Sequence, residues 1–317
     1  MNPTLQGYTA AVLEAAGPGA LSGLAADLEA IDNLVSSNAT LRSALTDTTV
    51  RGAARRAVML DLLEGKVSQP ARRVAAFAAS VVGAPDVPAA VNWVATRARH
   101  AAEGGQYDET PLSLTQSRER VGGFSIAVDE DLSHAQLESL EDDLFRFARI
   151  VAATPALRAA LVDRDLAVEA RQGLATQLLE RKVQPSTISL VCYVVAGGRA
   201  RDVVGTLDWL VEQTARARGW RIARVRAAAP IEDPQRTTLS DSLATLAGAP
   251  VELRVILDEA LLSGAIIQIG DLQVDATARG RIDALREHLM PGGWDDGGVR
   301  TGTVRPGRTM TQTEGAG

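Results

Sequence analysis

The residues of this chain that could do chemistry are few, and the first of them are glycines near the N-terminus. Gly17, Gly19 and Gly23 lie at a spacing close to that of a dinucleotide-binding loop. That loop needs a third glycine three residues after the second and a strand before it, whereas Ser22 stands there and the preceding pattern is helical. Gly65-Lys66 lacks the upstream glycine of a phosphate-binding loop. The sequence therefore predicts no nucleotide or phosphate site.

Nucleophiles and metal ligands are equally sparse. Cys192, the single cysteine, lies in the apolar run 189–195 with no histidine near it in sequence, so we interpret it as a small buried hydrophobe. One cysteine excludes an internal disulfide and fits a reducing compartment. The histidines are far apart and form no ligand-spaced pair, which predicts no zinc site. They are His100, His134 and His288. We expect no catalytic residue, no metal and no cofactor.

A long internal repeat explains why no residue stands out as a unique catalytic centre. Shifting the chain by 116 positions places Gly7-Tyr8-Thr9 on Gly123-Phe124-Ser125 and Trp93 on Trp209. A period of this length indicates a duplicated domain, because solenoid units span only about 20–50 residues. A residue that recurs in both copies is expected to serve the fold of each copy.

The composition favours packed helices and argues against a nucleic-acid partner. The 317 residues are 46% hydrophobic but only 3% aromatic, so aliphatic side chains must fill the cores. The net charge is −6 with both signs interleaved, whereas a nucleic-acid surface needs clustered Lys and Arg. No signal-peptide pattern is visible, and the longest apolar stretch is shorter than a membrane helix. We expect a soluble protein that faces the cytosol.

Each copy carries the apolar periodicity of one long helix and several short ones. Apolar residues recur every three or four positions from Leu21 to Val35 and, in the second copy, from Leu137 to Val151. Ser133 with Gln136 predicts a capping box at the start of the second of these helices. We predict about six helices per copy, which form two bundles in tandem. The expected bounds are 1–104 for copy one, 105–119 for a polar linker and 120–219 for copy two.

After Gly219 the pattern changes to that of a small mixed α/β domain, expected at 220–290. Residues 251–257 alternate at period two, as a half-buried strand does, and Gly270-Asp271 is a suitable hairpin turn. Turn formation and capping explain Asp271 and Asp275 without a chemical role. The expected elements are strands at 221–227, 251–257, 266–269 and 272–274, with helices from Asp233 and Thr277. The composition of 291–317 predicts disorder.

Six of the eleven aromatic residues recur in register across the repeat and admit two interpretations. The recurring pairs are Tyr8 with Phe124, Phe77 with Tyr193, and Trp93 with Trp209. The first pair lies on the first helix of each copy and the second pair on the fifth, whereas the tryptophans are interpreted as core residues. Ordinary packing explains all of them. If the first and fifth helices adjoin, however, their aromatic side chains would line a groove for a partner helix.

The C-terminal segment carries the pattern of a known family. Residues 251–270 read VELRVILDEALLSGAIIQIG, and residues 275–282 read DATARGRI. They contain an alternating strand, an acidic residue at Asp258, a small residue before Gly264, an apolar hairpin and the pair Gly280-Arg281. This order resembles the signature of the delta subunit of bacterial F-type ATP synthases. Upstream segments in both copies resemble the N-terminal helical bundle of the same family.

The resemblance implies a non-catalytic role with two protein partners and no cofactor. In this family the bundle grips N-terminal segments of the alpha subunits, and the C-terminal domain holds the C-terminal helix of the b subunit. The link keeps the catalytic head from turning with the rotor during ATP synthesis, at the cytoplasmic face of the cell membrane. Contact with the membrane is implied only through the complex. The residues indicated are Tyr8, Phe77, Phe124 and Tyr193 for the alpha contact and Leu257, Ile267, Ile269 and Val274 for the b contact.

Two features depart from the common family pattern. Most delta subunits have one bundle, whereas this chain has two, as in actinobacterial-type members, and the Gly-rich tail lies outside the pattern. Because copy two precedes the C-terminal domain as a single bundle would, we expect it to make the usual alpha contact. Copy one is expected to grip a second alpha segment or the stalk. A helical adaptor of another complex is the alternative, and an enzyme is the least favoured interpretation.

Overall fold

The structure, a computed structural model, describes residues 1–105, 113–163, 165–196, 202–261, 263–270 and 272–275. Within these residues the chain forms twelve α-helices, one short 3-10 helix and a four-stranded sheet. The prediction of a mainly helical protein with a small mixed α/β part is confirmed. Asp271, His288, the expected helix from Thr277 and the segment 291–317 lie outside the described residues.

Copy one forms the first five helices, and the first of them is kinked. Gly17 has a φ of 64° and Pro18 follows it, so the backbone hydrogen-bond ladder is interrupted at this point. The kink divides the helix into two segments, of which the second carries the apolar stripe from Leu21 to Val35. Counted as two helices, these segments make α4 the fifth helix of copy one. The helices are α1 (Pro3–Ser37), α2 (Ala39–Thr46), α3 (Gly52–Leu62), α4 (Gln69–Val81) and α5 (Val87–Ala102), with the 3-10 turn Ala84–Asp86 before α5.

Copy two forms the next six helices, and its first helix begins earlier than expected. Ser113 and Gln116 form a capping box, which starts α6 inside the expected linker 105–119 because it satisfies free backbone N–H groups. The predicted capping box of Ser133 and Gln136 is confirmed at the start of α7. The helices are α6 (Leu114–Asp129), α7 (His134–Ala153), α8 (Pro155–Val162), α9 (Val168–Leu179), α10 (Pro185–Ala196) and α11 (Val203–Ala217).

A buried arginine recurs in both copies and fastens the fifth helix of each. Arg55 donates from Nε to the carbonyl of Ala79 at 2.9 Å, near the end of α4. Arg171, its equivalent in copy two, donates to the carbonyl of Val195 at 3.1 Å, near the end of α10. These carbonyls have no partner within their own helices, so the guanidinium groups satisfy them.

The C-terminal sheet has the strand order β2-β1-β3-β4. Its strands are β1 (Arg221–Ala227), β2 (Val251–Leu257), β3 (Ala265–Ile269) and β4 (Leu272–Asp275). β1 and β2 are parallel and are connected by α12 (Asp233–Ala247), which Gly248 ends in the left-handed conformation. β3 is antiparallel to β1 and to β4, and Ile269 pairs with Leu272, so the hairpin loop has the two residues predicted.

Buried apolar side chains form two clusters. The larger cluster extends through both copies and contains the stripes of α1 and α7, including Leu28 and Leu144. Trp93 and Trp209 are only partly buried and pack against its edge rather than at its centre. The smaller cluster lies between α12 and the sheet and includes Val225. The chain thus buries one continuous interior across the two copies and a separate one in the C-terminal part.

Candidate partner-binding surfaces

The two copies contact each other through their first helices, α1 and α6. Gly7 and Gly123, which are equivalent in the repeat, lie where these helices meet. A Cβ atom on Gly7 would lie 1.7 Å from the carbonyl oxygen of Arg120, and one on Gly123 would lie 1.9 Å from that of Thr4. No side chain fits at such distances, so the two backbones approach each other directly. The recurring glycines therefore serve the contact between the copies.

Each copy stacks an aromatic ring of its first helix on a ring of its fifth. The ring centroids of Tyr8 and Phe77 lie 3.9 Å apart, and those of Phe124 and Tyr193 lie 4.1 Å apart. Tyr8 and Phe124 are fully buried, Phe77 is nearly so, and Tyr193 is partly buried. The first and fifth helices thus adjoin in both copies. The contact of these four residues with an alpha segment stays a prediction.

A carboxylate clamp joins the end of α6 to copy one. Glu130 accepts a hydrogen bond from the Tyr8 hydroxyl at 2.6 Å and ion pairs from Arg56 at 2.7 Å and Arg73 at 3.1 Å. Arg73 also pairs with Asp131 and donates to the carbonyl of Ala127 at 3.1 Å. We call this group of residues the Glu130 clamp. It fixes the last turn of α6 against α1, α3 and α4.

The electrostatics of the Glu130 clamp favour the carboxylate form. Burial alone would raise the pKa of Glu130, but the hydrogen bonds from Tyr8 and Arg56 and the charges of Arg56 and Arg73 outweigh burial and lower it. Burial, followed by the hydrogen bond to Glu130, raises the pKa of the Tyr8 hydroxyl. The hydroxyl therefore stays a donor and the carboxylate an acceptor at neutral pH.

The equivalent contact on the other side is much weaker. Glu14 of α1 occupies the position that Glu130 has in α6, and it accepts a hydrogen bond from the Ser189 hydroxyl of α10. Ser189 stands where copy one has Arg73, so no guanidinium replaces it there. Burial raises the pKa of Glu14 despite the hydrogen bond from Ser189. The interface between the copies is symmetric in its helices but asymmetric in its charges.

A second charged group joins the C-terminal sheet to copy two. Glu141 of α7 is fully buried and accepts from Arg218 at 2.6 Å and from Arg254 of β2 at 2.8 Å. Arg254 also pairs with Asp142 at 2.6 Å, and Glu252 contacts Arg218 at 3.1 Å. We call these five residues the Glu141 network. A buried carboxylate with two guanidinium partners holds α7, the end of α11 and β2 in one arrangement.

The Glu141 network is specific to copy two. The repeat places Ala25 and Ala102 of copy one at the positions of Glu141 and Arg218. Burial opposes the charge of Arg254, yet its hydrogen bonds to Glu141 and then Asp142 raise its pKa. At these two positions charged residues replace apolar ones in the copy that contacts the sheet.

The sheet has one apolar face that α12 covers in part. Ile267, expected to face the b subunit, is only 7% exposed and belongs to the small core, and its contact with the b subunit stays a prediction. It pairs with Val225 in β1, which places its side chain among those beneath α12. Leu257 and Val274 are 57% and 39% exposed, and Ile269 is partly buried. The exposed residues share the face of Ile267, because the register pairs Val274 with it.

A carboxyl group lies in an unusual place at the start of copy two. Asp129 lines a cavity of about 660 Å³ between α6, α7 and α11, together with Leu137 and Trp209. It accepts from the Ser125 hydroxyl at 3.3 Å, and among the described residues its buried Oδ1 atom has no partner. Burial raises the pKa of Asp129 to about 7, more than the Ser125 hydrogen bond lowers it.

The residues first considered for chemistry have structural places. Gly17 forms the kink of α1, and Gly65 has a φ of 67° in a turn. Cys192 is partly buried, 3.3 Å from the Thr176 hydroxyl, and burial raises the pKa of its thiol. In the part of the chain that the structure describes, no three His, Cys, Asp or Glu side chains are placed to hold a metal ion. None of the described helices has the length and apolar content to cross a bilayer.

Sequence reasoning missed the Glu130 clamp and the Glu141 network. Both depend on contacts between elements far apart in the chain, which no local pattern reports. A signal was available all the same: Glu141 and Arg218 stand at positions where the repeat predicts alanine, on helix faces turned to the interior. A charge at a position that is apolar in the sister copy indicates a new neighbour.

Comparisons with known proteins agree with this architecture. The family model described as "ATP synthase delta (OSCP) subunit" matches residues 5–91 and 123–289. The chain is 31% identical to the ATP synthase subunit delta of Kineococcus radiotolerans over 263 residues, which cover 83% of this chain and 86% of that protein. Its identity to the proteins of the same name is 31% in Salinispora arenicola (88% and 92% covered) and 33% in Nocardia farcinica (83% and 88% covered). The chain belongs to the delta (OSCP) subunit family of ATP synthase.

Proposed function

We infer that this chain links the catalytic head of an F-type ATP synthase to its peripheral stalk. Family membership makes it a peripheral-stalk subunit of that complex and a non-catalytic component of ATP synthesis coupled to proton transport. Its proposed partners are N-terminal segments of the alpha subunits and the C-terminal helix of the b subunit. It would lie at the cytoplasmic face of the membrane and be attached there through the complex.

The domain arrangement supports this role. The family model matches copy one in a first stretch and runs through copy two into the sheet in a second stretch, 123–289. Copy two with the sheet therefore has the order of a family member with one bundle. We infer two six-helix bundles and a C-terminal domain, with bounds 1–104, 113–219 and 220–290. The second starts earlier than 120 because α6 begins at Leu114.

The observation that carries the proposal in the structure is the Glu141 network. A static link needs its two partner sites on one body, since tethering gives the second contact a high effective concentration. Glu141 joins α7 to Arg254 of β2, so a force on the sheet is passed to copy two through buried ion pairs. This supports a chain that resists torque between two partners.

The alpha contact is proposed at the stacked aromatic pairs. Copy two is proposed to take the usual alpha segment at Phe124 and Tyr193, and copy one a second segment at Tyr8 and Phe77. These rings adjoin in both copies, as a helix-binding groove between first and fifth helices requires. All but the partly buried ring of Tyr193 are buried, so we infer that a partner reaches them only when the helices around them separate.

The b contact is proposed at the exposed part of the apolar sheet face. Leu272 and Val274 lie there on the edge strand β4 beside Ile269, and Leu257 lies at the end of β2, the opposite edge of the sheet. An amphipathic helix laid on this face would bury these side chains, and each fully buried aliphatic group contributes about 1.5–3 kcal/mol. The area is apolar and adjoins the edge strand β4, which suits a helix that carries an apolar stripe.

The experiment is a binding titration with a b C-terminal peptide. We expect Leu257→Asp with Val274→Asp to weaken binding at least tenfold while circular dichroism stays unchanged. Val58→Asp is the matched control, because Val58 is an exposed aliphatic residue of α3 far from the sheet. Ile267→Asp is expected to unfold the C-terminal domain instead. Undiminished b binding by the folded double variant would refute the proposed surface.

Co-purification separates this function from the adaptor alternative. A peripheral-stalk subunit should be recovered from membrane extracts together with alpha and b chains. A helical adaptor of a different complex would be recovered with neither chain. Recovery without alpha and b would therefore refute the proposed function as a whole.

A further inference from the structure

The first helix of each copy lies in the groove of the other copy. The groove of copy one is lined by the stacked rings of Tyr8 and Phe77, with Arg56 and Arg73 at one end. α6 packs along α1 at this groove, its C-terminal end reaches α4 through Arg73, and its final turn is held by the Glu130 clamp. In the same way α1 lies against α6 and reaches α10 through Glu14 and Ser189. Each groove is thus contacted by the first helix of the other copy.

The two filling helices share a pattern that the contacts explain. Gly123 allows close approach to α1, and Glu130 follows it by seven residues. Seven residues make almost two helical turns, so both lie on the face turned to copy one. Gly7 and Glu14 of α1 repeat this spacing. The helix face that contacts each groove therefore carries a small residue and, two turns later, a carboxylate.

The groove of copy one offers more and stronger hydrogen-bond donors to a carboxylate than the groove of copy two does. Three donors from three different helices converge on one carboxylate, namely the Tyr8 hydroxyl, Arg56 and Arg73. In the groove of copy two the corresponding carboxylate, that of Glu14, accepts from the uncharged Ser189 hydroxyl. A partner helix with a carboxylate is therefore selected by copy one more strongly than by copy two.

We propose that the copy-one groove is a receptor for a helix with a small residue and, seven positions later, a carboxylate, and that α6 is its resident ligand. Resting on the proposed function, the alpha N-terminal segment competes with α6 for this groove. α1 forms a wall of the copy-one groove and lies against the copy-two groove, and α6 does the reverse. Separation of α1 from α6 therefore opens both grooves together. Pairing of the copies thus sets how readily alpha segments bind.

The test uses two peptides on the full chain, with binding measured by calorimetry. One peptide copies residues 117–132 of this chain, and its control peptide carries the substitution Glu130→Gln. The other is the N-terminal segment of the alpha subunit from the same organism. The proteins are wild type, Glu130→Gln, which weakens the pairing, and Glu14→Gln, which changes the weaker side. Arg73→Met removes a receptor group, and thermal melts and circular dichroism confirm that each variant is folded.

We expect the Glu130→Gln protein to bind the 117–132 peptide about tenfold more tightly than wild type does, with Glu14→Gln changing affinity about twofold. The control peptide should bind the Glu130→Gln protein about tenfold more weakly than the 117–132 peptide does, and Arg73→Met should abolish this discrimination. Equal affinity of the two peptides would overturn the receptor. If the Glu130→Gln protein binds the 117–132 peptide more tightly than wild type does but binds the alpha peptide no more tightly, the competition is overturned and the receptor is not. Failure of the alpha peptide to bind any variant would overturn the proposed alpha contact and this competition with it.

Discussion

Copy one and copy two have the same arrangement of helices but differ in the positions of their charged residues. In both copies a kink or turn follows the first helix, an arginine fastens the fifth, and an aromatic pair joins the two. Copy one adds Arg56 and Arg73, which hold Glu130 of its sister. Copy two instead adds Glu141 and Arg218, which hold the sheet.

This difference separates the residues that serve the fold of each copy from those that serve its neighbours. The apolar frame recurs because each copy must bury the same stripe, whereas ion pairs recur only where the same neighbour is present. A buried charge is costly unless it is paired, so it persists only where a partner supplies the opposite charge. Positions at which the copies differ in charge therefore mark the contacts that distinguish them.

Making copy two resemble copy one at Glu141 is expected to destabilise the chain more than the other substitutions below. Glu141→Ala removes the fully buried carboxylate that pairs with both Arg218 and Arg254 and leaves them only the more exposed Glu252 in common, so we expect a loss of about 3–5 kcal/mol in unfolding free energy. Urea unfolding measures this loss. Glu138→Ala is the control, because Glu138 is mostly exposed and 3.9 Å from Arg218, and it should cost less than about 1 kcal/mol. Similar losses of unfolding free energy in both variants would contradict the view that Glu141 holds the sheet to copy two.

A pH-dependent effect is expected at Asp129, where copy one has Leu13. The pKa of this acid is raised from 3.8 to about 7 in the folded chain, so the native state binds the proton more tightly than the unfolded state does. Its contribution to stability is full below about pH 4 and is lost as pH rises through 7. The change is at most about 1.4 kcal/mol per pH unit in this window.

Asp129→Asn removes this dependence. The variant should gain stability over the parent as pH rises from 4 to 8, with no gain at pH 4, in thermal melts across that range. Ser125, Glu119, Glu130 and Arg216 line the same cavity and are unchanged by the substitution. A constant difference between variant and parent at all pH values would show that the Asp129 carboxyl does not titrate near 7.

A smaller effect is expected from the glycines at the crossing. A methyl group on Gly123 would lie 1.9 Å from the Thr4 carbonyl, so Gly123→Ala must push α1 and α6 apart at a cost of about 1–3 kcal/mol. Gly173→Ala is the matched control, because Gly173 is inside α9 with no atom within 4 Å of a new methyl group. It should stabilise the chain by about 0.5–1 kcal/mol. Chemical denaturation measures the change in unfolding free energy of both variants. A change of the same sign in the two variants would disprove direct backbone contact at Gly123.

Sequence reasoning gives the helices and strands well because their signals are local. The stripe from Leu21 to Val35, the capping box of Ser133 and the alternation of β2 each depend on a few neighbouring residues. α6 begins earlier than its sequence indicates, because the polar residues around Ser113 are typical of a linker but cap a helix. Local composition does not distinguish a polar helix from a loop.

The partner surfaces were predicted less well because they depend on what packs against what. Ile267 and Val274 look alike in an alternating strand, yet only Val274 is exposed, since α12 and β1 cover the position of Ile267. The repeat indicates the aromatic pairs, whereas the crossing of α1 and α6 at Gly7 and Gly123 joins residues that lie far apart in the chain. Contacts of this range are decided by the whole fold.

The most direct test of the proposed link is whether one chain holds both partners at once. The full-length protein would be saturated with the alpha N-terminal peptide and then titrated with the b C-terminal peptide in a calorimeter. We expect one b peptide bound per chain, with the same affinity as in the absence of the alpha peptide, because the sheet face and the grooves are separate. Loss of b binding, or release of the alpha peptide as b binds, would contradict a link between head and stalk.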